Sequence, residues 1–413
     1  MDITINDVIA AKKRIAPLVL TTPLQQMPRL SAKYGAEIYL KREDLQAVRS
    51  YKIRGAFNLI SSAVDNARKQ GVVCASAGNH AQGVALTCNH LKVKGTIFVP
   101  IPTPKQKLAK IKYFGGEWIN LEVRGYTYDE AYAASREHQK KHNKIFVHPF
   151  NDLATIAGQA TIGLEITEQL EEFDYLFLPI GGGGLSSGVS SYLKKVSPNV
   201  KIIGVEPKGA PAMYESFNRG KVVDLKTIDT FVDGAAVRKV GELNFSLTKK
   251  NIDDIVLVDE GKICTKMIDL YQHEGIIAEP AGALSISVLN QFKKEIKGKK
   301  VVCILSGGNN DLSRYPEIVE KSLIYEGLKH YFIINFSQSS GELRKFLDKV
   351  LGEKDNIVRF EYIQKINKEQ GPALVGIELE RKKDLNSLIA RMEEHQMNYR
   401  IVDVEDPLYT FLV

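Results

Sequence analysis

Between about residue 36 and residue 315, short apolar runs alternate with longer stretches of helical spacing. The runs Glu37-Leu40, Val72-Ala75, Gly95-Val99, Trp118-Leu121, Ile145-Val147, Tyr175-Pro179, Lys201-Val205, Ile255-Val258 and Lys300-Leu305 are nearly continuous rather than alternating. Continuous apolar runs predict strands covered on both faces, as in a parallel sheet. Arg54 to Lys69, Asn79 to Leu91, Lys105 to Phe114, Tyr128 to Lys141 and Thr155 to Glu171 predict the intervening helices, with Gly71 and Gly115-Gly116 as stops. Together they predict a doubly wound α/β architecture, in which ligands sit beyond the carboxyl ends of the strands.

The grammar changes near residue 325. Strand Tyr331-Phe336, helix Gly341-Leu351, strands Asn356-Tyr362 and Ala373-Leu379, helix Asp384-His395 and strand Tyr399-Val404 follow in the βαββαβ order of a ferredoxin-like α+β module. In the first of these helices Leu343, Phe346, Leu347, Val350 and Leu351 fall on one stripe, expected to cover one sheet face. The expected division is therefore 1–322, with a smaller subdomain at about 45–144 inserted in it, followed by 325–413.

Composition narrows the class. At 413 residues the chain exceeds one ordinary core, and 44% hydrophobic with 25% charged residues exclude a disordered chain. The net charge of +7 comes from basic residues spread among acids, so no nucleic-acid patch is implied. Cys74, Cys88, Cys264 and Cys303 form no C-x-x-C pair and read as buried, reduced thiols, in keeping with a cytoplasmic location. Asp2 and Asp7 with no early apolar run exclude a signal peptide, and no stretch is apolar enough to span a membrane. The histidines lack metal-ligand spacing, and no metal is expected.

Three glycine-centred segments carry the chemistry: Ser76-Ala77-Gly78-Asn79-His80, Gly181-Gly182-Gly183-Gly184-Leu185 and Ser306-Gly307-Gly308-Asn309. Each follows a strand-like run, where backbone N–H groups can surround an anion. Ser50-Tyr51-Lys52-Ile53-Arg54-Gly55 adds a primary amine at a helix entrance, with Tyr51 placed beside a flat ring. An amine that forms an imine, a phosphate cradle and a polar loop at a ring nitrogen describe a site for pyridoxal 5′-phosphate.

The segments Lys-Arg-Glu-Asp (41–44), Ser-Tyr-Lys-Ile-Arg-Gly-Ala (50–56), Ser-Ala-Gly-Asn-His-Ala-Gln-Gly (76–83), Gly-Gly-Gly-Gly-Leu (181–185), Glu-Pro-Ala-Gly-Ala (279–283) and Ser-Gly-Gly-Asn (306–309) occur in one order. In this the chain resembles the threonine dehydratases (threonine ammonia-lyases) among the tryptophan-synthase-β-like, fold-type-II pyridoxal phosphate enzymes, and its tail resembles their ACT-like regulatory domain. The resemblance implies two parallel-sheet subdomains and α,β-elimination of threonine, with serine as a second substrate, as the first step of isoleucine biosynthesis. It further implies that Lys52 holds the cofactor as an imine and handles the Cα proton. Asn79 would meet the cofactor's 3′-oxygen, Gly181 to Leu185 would hold its phosphate, and Ser306 would face its ring nitrogen. Ser76, Ala77, Gly78, Asn79 and His80 would receive the substrate carboxylate. A hydroxyl partner such as Ser306 leaves the ring a weaker electron sink than an aspartate would, favouring elimination over transamination. Glu279 is assigned a supporting role at the cofactor's border.

The resemblance also implies isoleucine, with valine as a second candidate, as effector at Ser339-Ser340-Gly341-Glu342-Leu343, and a homo-oligomer, dimer or tetramer. Serine racemases of this fold carry a second serine where Ala77 stands, so racemisation is disfavoured. A silent amino-acid sensor is disfavoured by the intact Lys52 and glycine cradle. A nucleotide-binding protein is disfavoured because the chain lacks both the P-loop and the Rossmann fingerprint.

Overall fold

In a computed structural model, which describes residues 2–362, 369–403 and 406–412, the apolar runs become two sheets of parallel strands with one antiparallel edge. The larger has six strands in the order Leu24–Gln26, Glu37–Arg42, Lys300–Leu305, Tyr175–Pro179, Lys201–Pro207, Asp254–Val258. Only the edge strand Leu24–Gln26 runs antiparallel to its neighbour. The smaller has four parallel strands, ordered Ile119–Val123, Gly95–Val99, Val72–Ala75, Ile145–Phe146. Tyr175–Pro179, Gly95–Val99 and Val72–Ala75 are buried at every position, as their unbroken apolar runs require.

In the smaller sheet the chain order reverses around Val72–Ala75. In the larger, Lys300–Leu305 is inserted between Glu37–Arg42 and Tyr175–Pro179. A crevice opens at such places beyond the strand ends. Ser76, Pro179-Ile180-Gly181 and Ser306 all lie there.

Two local departures have physical causes. The helix expected over Arg54–Lys69 is two helices, Lys52–Ser62 and Val64–Gln70, parted at Ala63. The hydroxyls of Ser61 and Ser62 donate to the carbonyls of Phe57 and Leu59, at 2.5 and 2.8 Å, in competition with the helical pattern. Near the N-terminus, Thr4 and Asp7 form a reciprocal capping box on an additional helix, Ile5–Ile15.

The chain forms two compact units, Met1–Glu260 with Asp269–Asn310, and Gly261–Ile268 with Asp311–Val413. The second contains an antiparallel sheet ordered Asn356–Tyr362, Gln370–Glu378, Lys329–Ser337, Asn398–Val402. Val404, expected in the last strand from the sequence, lies outside the described residues. Phe332, Ile334, Phe336 and Val375 from the sheet meet Phe346, Val350, Leu388 and Met392 from the helices in its core. The five-residue stripe is corrected here: Phe346 and Val350 are buried, but Leu343 and Leu347 are 44% and 45% exposed. The α-helix ends at Lys345, and Phe346–Val350 is wound as a wider π turn. That winding moves the apolar positions off one line. Among the described residues no helix is long and apolar enough to cross a membrane.

Candidate active site

Lys52 is the first residue of the helix Lys52–Ser62, and the turn before it is sewn to the far end of the larger sheet. Ser50 bridges Gly307, and Tyr51 N–H donates to the Ser306 carbonyl at 3.2 Å. Ser50 Oγ accepts the Lys52 N–H at 3.2 Å, satisfying one of the donors a helix start leaves over. Lys52 Nζ is half-buried, reaches the Pro149 carbonyl at 3.4 Å and lies 5.2 Å from the centre of the Tyr51 ring.

Asn79 opens the helix Asn79–Leu91, and both ends of its amide are used. Its Nδ2 donates to Glu279 Oε1 at 2.7 Å, and its Oδ1 accepts from Asn309 Nδ2 at 2.8 Å. An amide nitrogen has two hydrogens, so one remains for a ligand oxygen. Glu279 is 5% exposed, and its carboxyl is pushed up to about 7 by burial and by Asp233. Hydrogen bonds from Asn79 and the Asn309 backbone pull the other way but do not prevail. His80 turns inward, with Nε2 2.8 Å from the Val147 carbonyl. Burial first, then the charge of Lys52, hold its imidazole down at about 3, so it is neutral at ordinary pH and donates to that carbonyl. Ser76, Ala77 and Gly78 are half-buried, and a Cβ built at Gly78 would meet nothing within 4 Å.

The third segment forms a cradle. A Cβ at Gly181, Gly182, Gly183 or Gly184 would approach Ala235, Phe150, Met213 or Phe150 respectively within 3.0 Å. Gly183, at φ +93°, caps the helix Gly184–Val196, whose first N–H groups have no acceptor within the helix. Glycine alone fits so tight a backing, and it leaves those donors and the positive helix end bare for an anion. Leu185 is buried in the core behind the loop.

A small, partly open cleft joins these pieces. Tyr51, Lys52, Asn79, Gly181 and Ser306, separated widely in sequence, all line it. Its walls do not include Gly182, Gly183, Gly184, Leu185, Ser76, Ala77, Gly78 or His80, which flank or back the loops that do. Ser306 is 2% exposed, with its hydroxyl 3.3 Å from the Ala281 carbonyl. Pro179, Gly234, Ala235, Glu279 and Ala281 complete the lining. Gly234 and Ala235 lie in irregular chain with no periodicity to read. From spacing, Glu279 read as the residue before a proline at a helix start, and the motif resemblance gave it a supporting role at the cofactor's border. An amine, a cleft beside it, a buried hydroxyl and an anion cradle fit pyridoxal phosphate.

The comparisons agree with this geometry. Residues 15–307 match the family described as pyridoxal-phosphate dependent enzyme, and residues 320–412 match the C-terminal regulatory domain of threonine dehydratase. The chain is 51% identical to the L-threonine dehydratase biosynthetic IlvA of Halalkalibacterium halodurans over 412 residues, covering 100% of this chain and 99% of the relative. It superposes on the processed form of threonine deaminase isoform 2 from Solanum lycopersicum with a TM-score of 0.73 at 37% identity, over 78% of this chain and 90% of that one. Maize serine racemase gives a TM-score of 0.73 at 32% identity, over 79% of this chain and 99% of that one. The chain belongs to the pyridoxal-phosphate dependent enzyme family, in its biosynthetic threonine dehydratase branch.

Proposed function

We propose that this chain removes water and then ammonia from L-threonine, and from L-serine, giving 2-oxobutanoate or pyruvate. The observation that carries this reading is the convergence of Lys52, Asn79, Gly181 and Ser306 on one cleft. Pyridoxal phosphate bound there supplies an electron sink for the bond between Cα and its hydrogen. Lys52 Nζ is the base that would take the Cα proton. Gly181 to Leu185 would hold the phosphate through backbone N–H groups and the helix end. Asn79 would offer its spare hydrogen to the cofactor's ring oxygen, and the Ser306 hydroxyl would be the partner for its ring nitrogen. Ser76 to His80 receive the substrate carboxylate, His80 through its backbone. Loss of the β-hydroxyl with one proton, followed by hydrolysis, returns the water and releases ammonia, so the net change is threonine to keto acid plus ammonia.

The racemase reading, supported by the likeness to the maize enzyme, is the weaker one. Racemisation needs a second acid on the opposite face of Cα, and Ala77 has no hydroxyl to serve.

The regulated part, residues 325–413, takes isoleucine or valine as its effector. A cavity of about 230 Å³ within the second unit supports this reading. Phe336, Leu343, Phe360 and Tyr362 give it an apolar wall suited to a branched side chain. Ser339, Gly341 and Glu342 add polar groups for the ammonium and carboxylate. The remainder, to residue 322 and with a subdomain at about 45–144, carries the chemistry.

The test is a keto-acid assay on threonine and serine, with and without isoleucine, for the wild type and Lys52→Ala. Lys52→Ala loses at least about a thousandfold in activity, as expected when a covalent base is removed. Borohydride treatment labels Lys52 in the wild type, by mass spectrometry. An active Lys52→Ala enzyme, or unlabelled Lys52, refutes the assignment.

A further inference from the structure

Two positions beyond Lys52 stands Arg54, whose side chain is 0% exposed. Residues two apart on a helix point to nearly opposite sides. Lys52 therefore faces the cavity, while Arg54 is driven into the protein. There its fork is filled twice over. Nε and Nη2 donate to the two oxygens of Glu43 at 2.8 and 2.7 Å, and Nη1 and Nη2 donate to those of Glu165 at 2.8 and 2.8 Å. Glu165 also accepts from Lys41 at 2.7 Å and from Lys12 at 2.6 Å. Burial pushes the Glu165 carboxyl up, but Arg54, Lys41 and Lys12 outweigh it and hold the group down at about 2.

A buried pair of this kind is weak evidence for stability, because desolvation offsets the attraction. Its geometry is more telling. Glu43 and Arg54 are eleven positions apart, so their bidentate pair closes a loop that contains Lys52. The same loop is tied to the strand end at Ser50·Gly307 and Tyr51·Ser306. On the other side Glu165 belongs to the helix Leu153–Gln169. The two helices touch backbone to backbone, since a Cβ at Gly158 would come within 2.7 Å of Gly55 Cα. The guanidinium thus fixes the start of Lys52's helix in both translation and rotation, a constraint that a flexible point charge does not supply.

We propose that Arg54, clamped between Glu43 and Glu165, is a positioning residue that sets where the Lys52 amine stands over the cofactor. The inference rests on the assignment of Lys52 above. The two fail differently: loss of the borohydride label at Lys52 would remove the assignment, whereas the tests below leave that label in place.

Full-length protein loaded with pyridoxal phosphate is compared as wild type, Arg54→Lys and Ile166→Val, the last a core change on Glu165's own helix that lowers stability without touching the cluster. Thermal midpoint, visible circular dichroism per bound cofactor, kcat and KM for threonine are measured well below the midpoints. Arg54→Lys is expected to lower kcat by about tenfold to a hundredfold, the loss typical of a misplacement near 1 Å. KM should move less than about threefold, and the visible dichroism per cofactor should fall with kcat. Ile166→Val should lower only the midpoint. Arg54→Lys with a lowered midpoint but wild-type dichroism and kcat overturns the proposal. Should Arg54→Lys fail to fold, Glu43→Gln decides by the same readouts. It keeps one acceptor of the clamp, so reduced kcat and dichroism support the proposal and unchanged values overturn it.

Discussion

The two units build their pockets in opposite ways. In the first, strands buried on both faces deliver loops from near residues 52, 79, 181, 279 and 306 to one cleft. In the second, strands are covered on one face, with burial alternating along Gln370–Glu378, and the pocket is built largely from the contiguous stretch 336–343 with Phe360 and Tyr362. The difference teaches that a parallel, doubly covered sheet gathers distant chemistry at its strand ends, whereas an antiparallel sheet offers local chemistry at a surface. Changes deep in the first unit should therefore disturb fold and site together, and changes at the second should act on one ligand.

The largest contrast is in the sheets themselves. Ile304, fully buried in the larger sheet, should lose about 2–5 kcal/mol on substitution by alanine, as core truncations do. Ile401→Ala, at a position 40% exposed in the second unit, should stay within about 0.5 kcal/mol. Equal shifts in urea unfolding would erase the comparison.

Next comes Glu279. The folded carboxyl keeps its proton to about 7, and the unfolded one releases it near 4.5. Its folded pKa is raised, so its contribution to stability is intact below 4.5 and is lost as pH rises toward 7. Glu279→Gln has no such loss. Relative to wild type its stability should gain progressively from pH 4.5 to 7, by up to roughly 3 kcal/mol at about 1.4 kcal/mol per unit. Thermal midpoints of cofactor-free protein check this. A difference that is flat with pH would mean the carboxyl is ionised in the fold.

The smallest effect belongs to the second pocket. Tyr362→Ala removes one aromatic wall, and the isoleucine concentration for half-maximal response should rise about tenfold, a change worth roughly 1.4 kcal/mol. Activity without effector should stay at the wild-type level. An unchanged response would place the effector elsewhere.

Much of this was legible because the local signals and the final environment coincide. Val72–Ala75, Gly95–Val99, Tyr175–Pro179 and Lys300–Leu305 lie within one residue of the expected limits, since unbroken apolar runs are satisfied only by burial on both faces. Glycine runs after strands marked Asn79, Gly181 and Ser306 as chain near a ligand, and all three line the cavity. What was not legible depends on contacts that spacing does not encode. Gly234 and Ala235 reach the cavity from irregular chain, and the bond that ties Glu279 to Asn79 spans 200 positions. The π turn at Phe346–Val350 likewise follows from packing rather than propensity. The helix Ile5–Ile15 is the exception, because its Thr4–Asp7 box was there to be read.

Cys74, Cys88, Cys264 and Cys303 are all buried, and none is in a disulfide. A maleimide dye therefore finds no ready target on the folded chain. One cysteine introduced at an exposed site in either unit would become a unique handle, so fluorescence could follow ligand arriving in either unit without stripping the native thiols first.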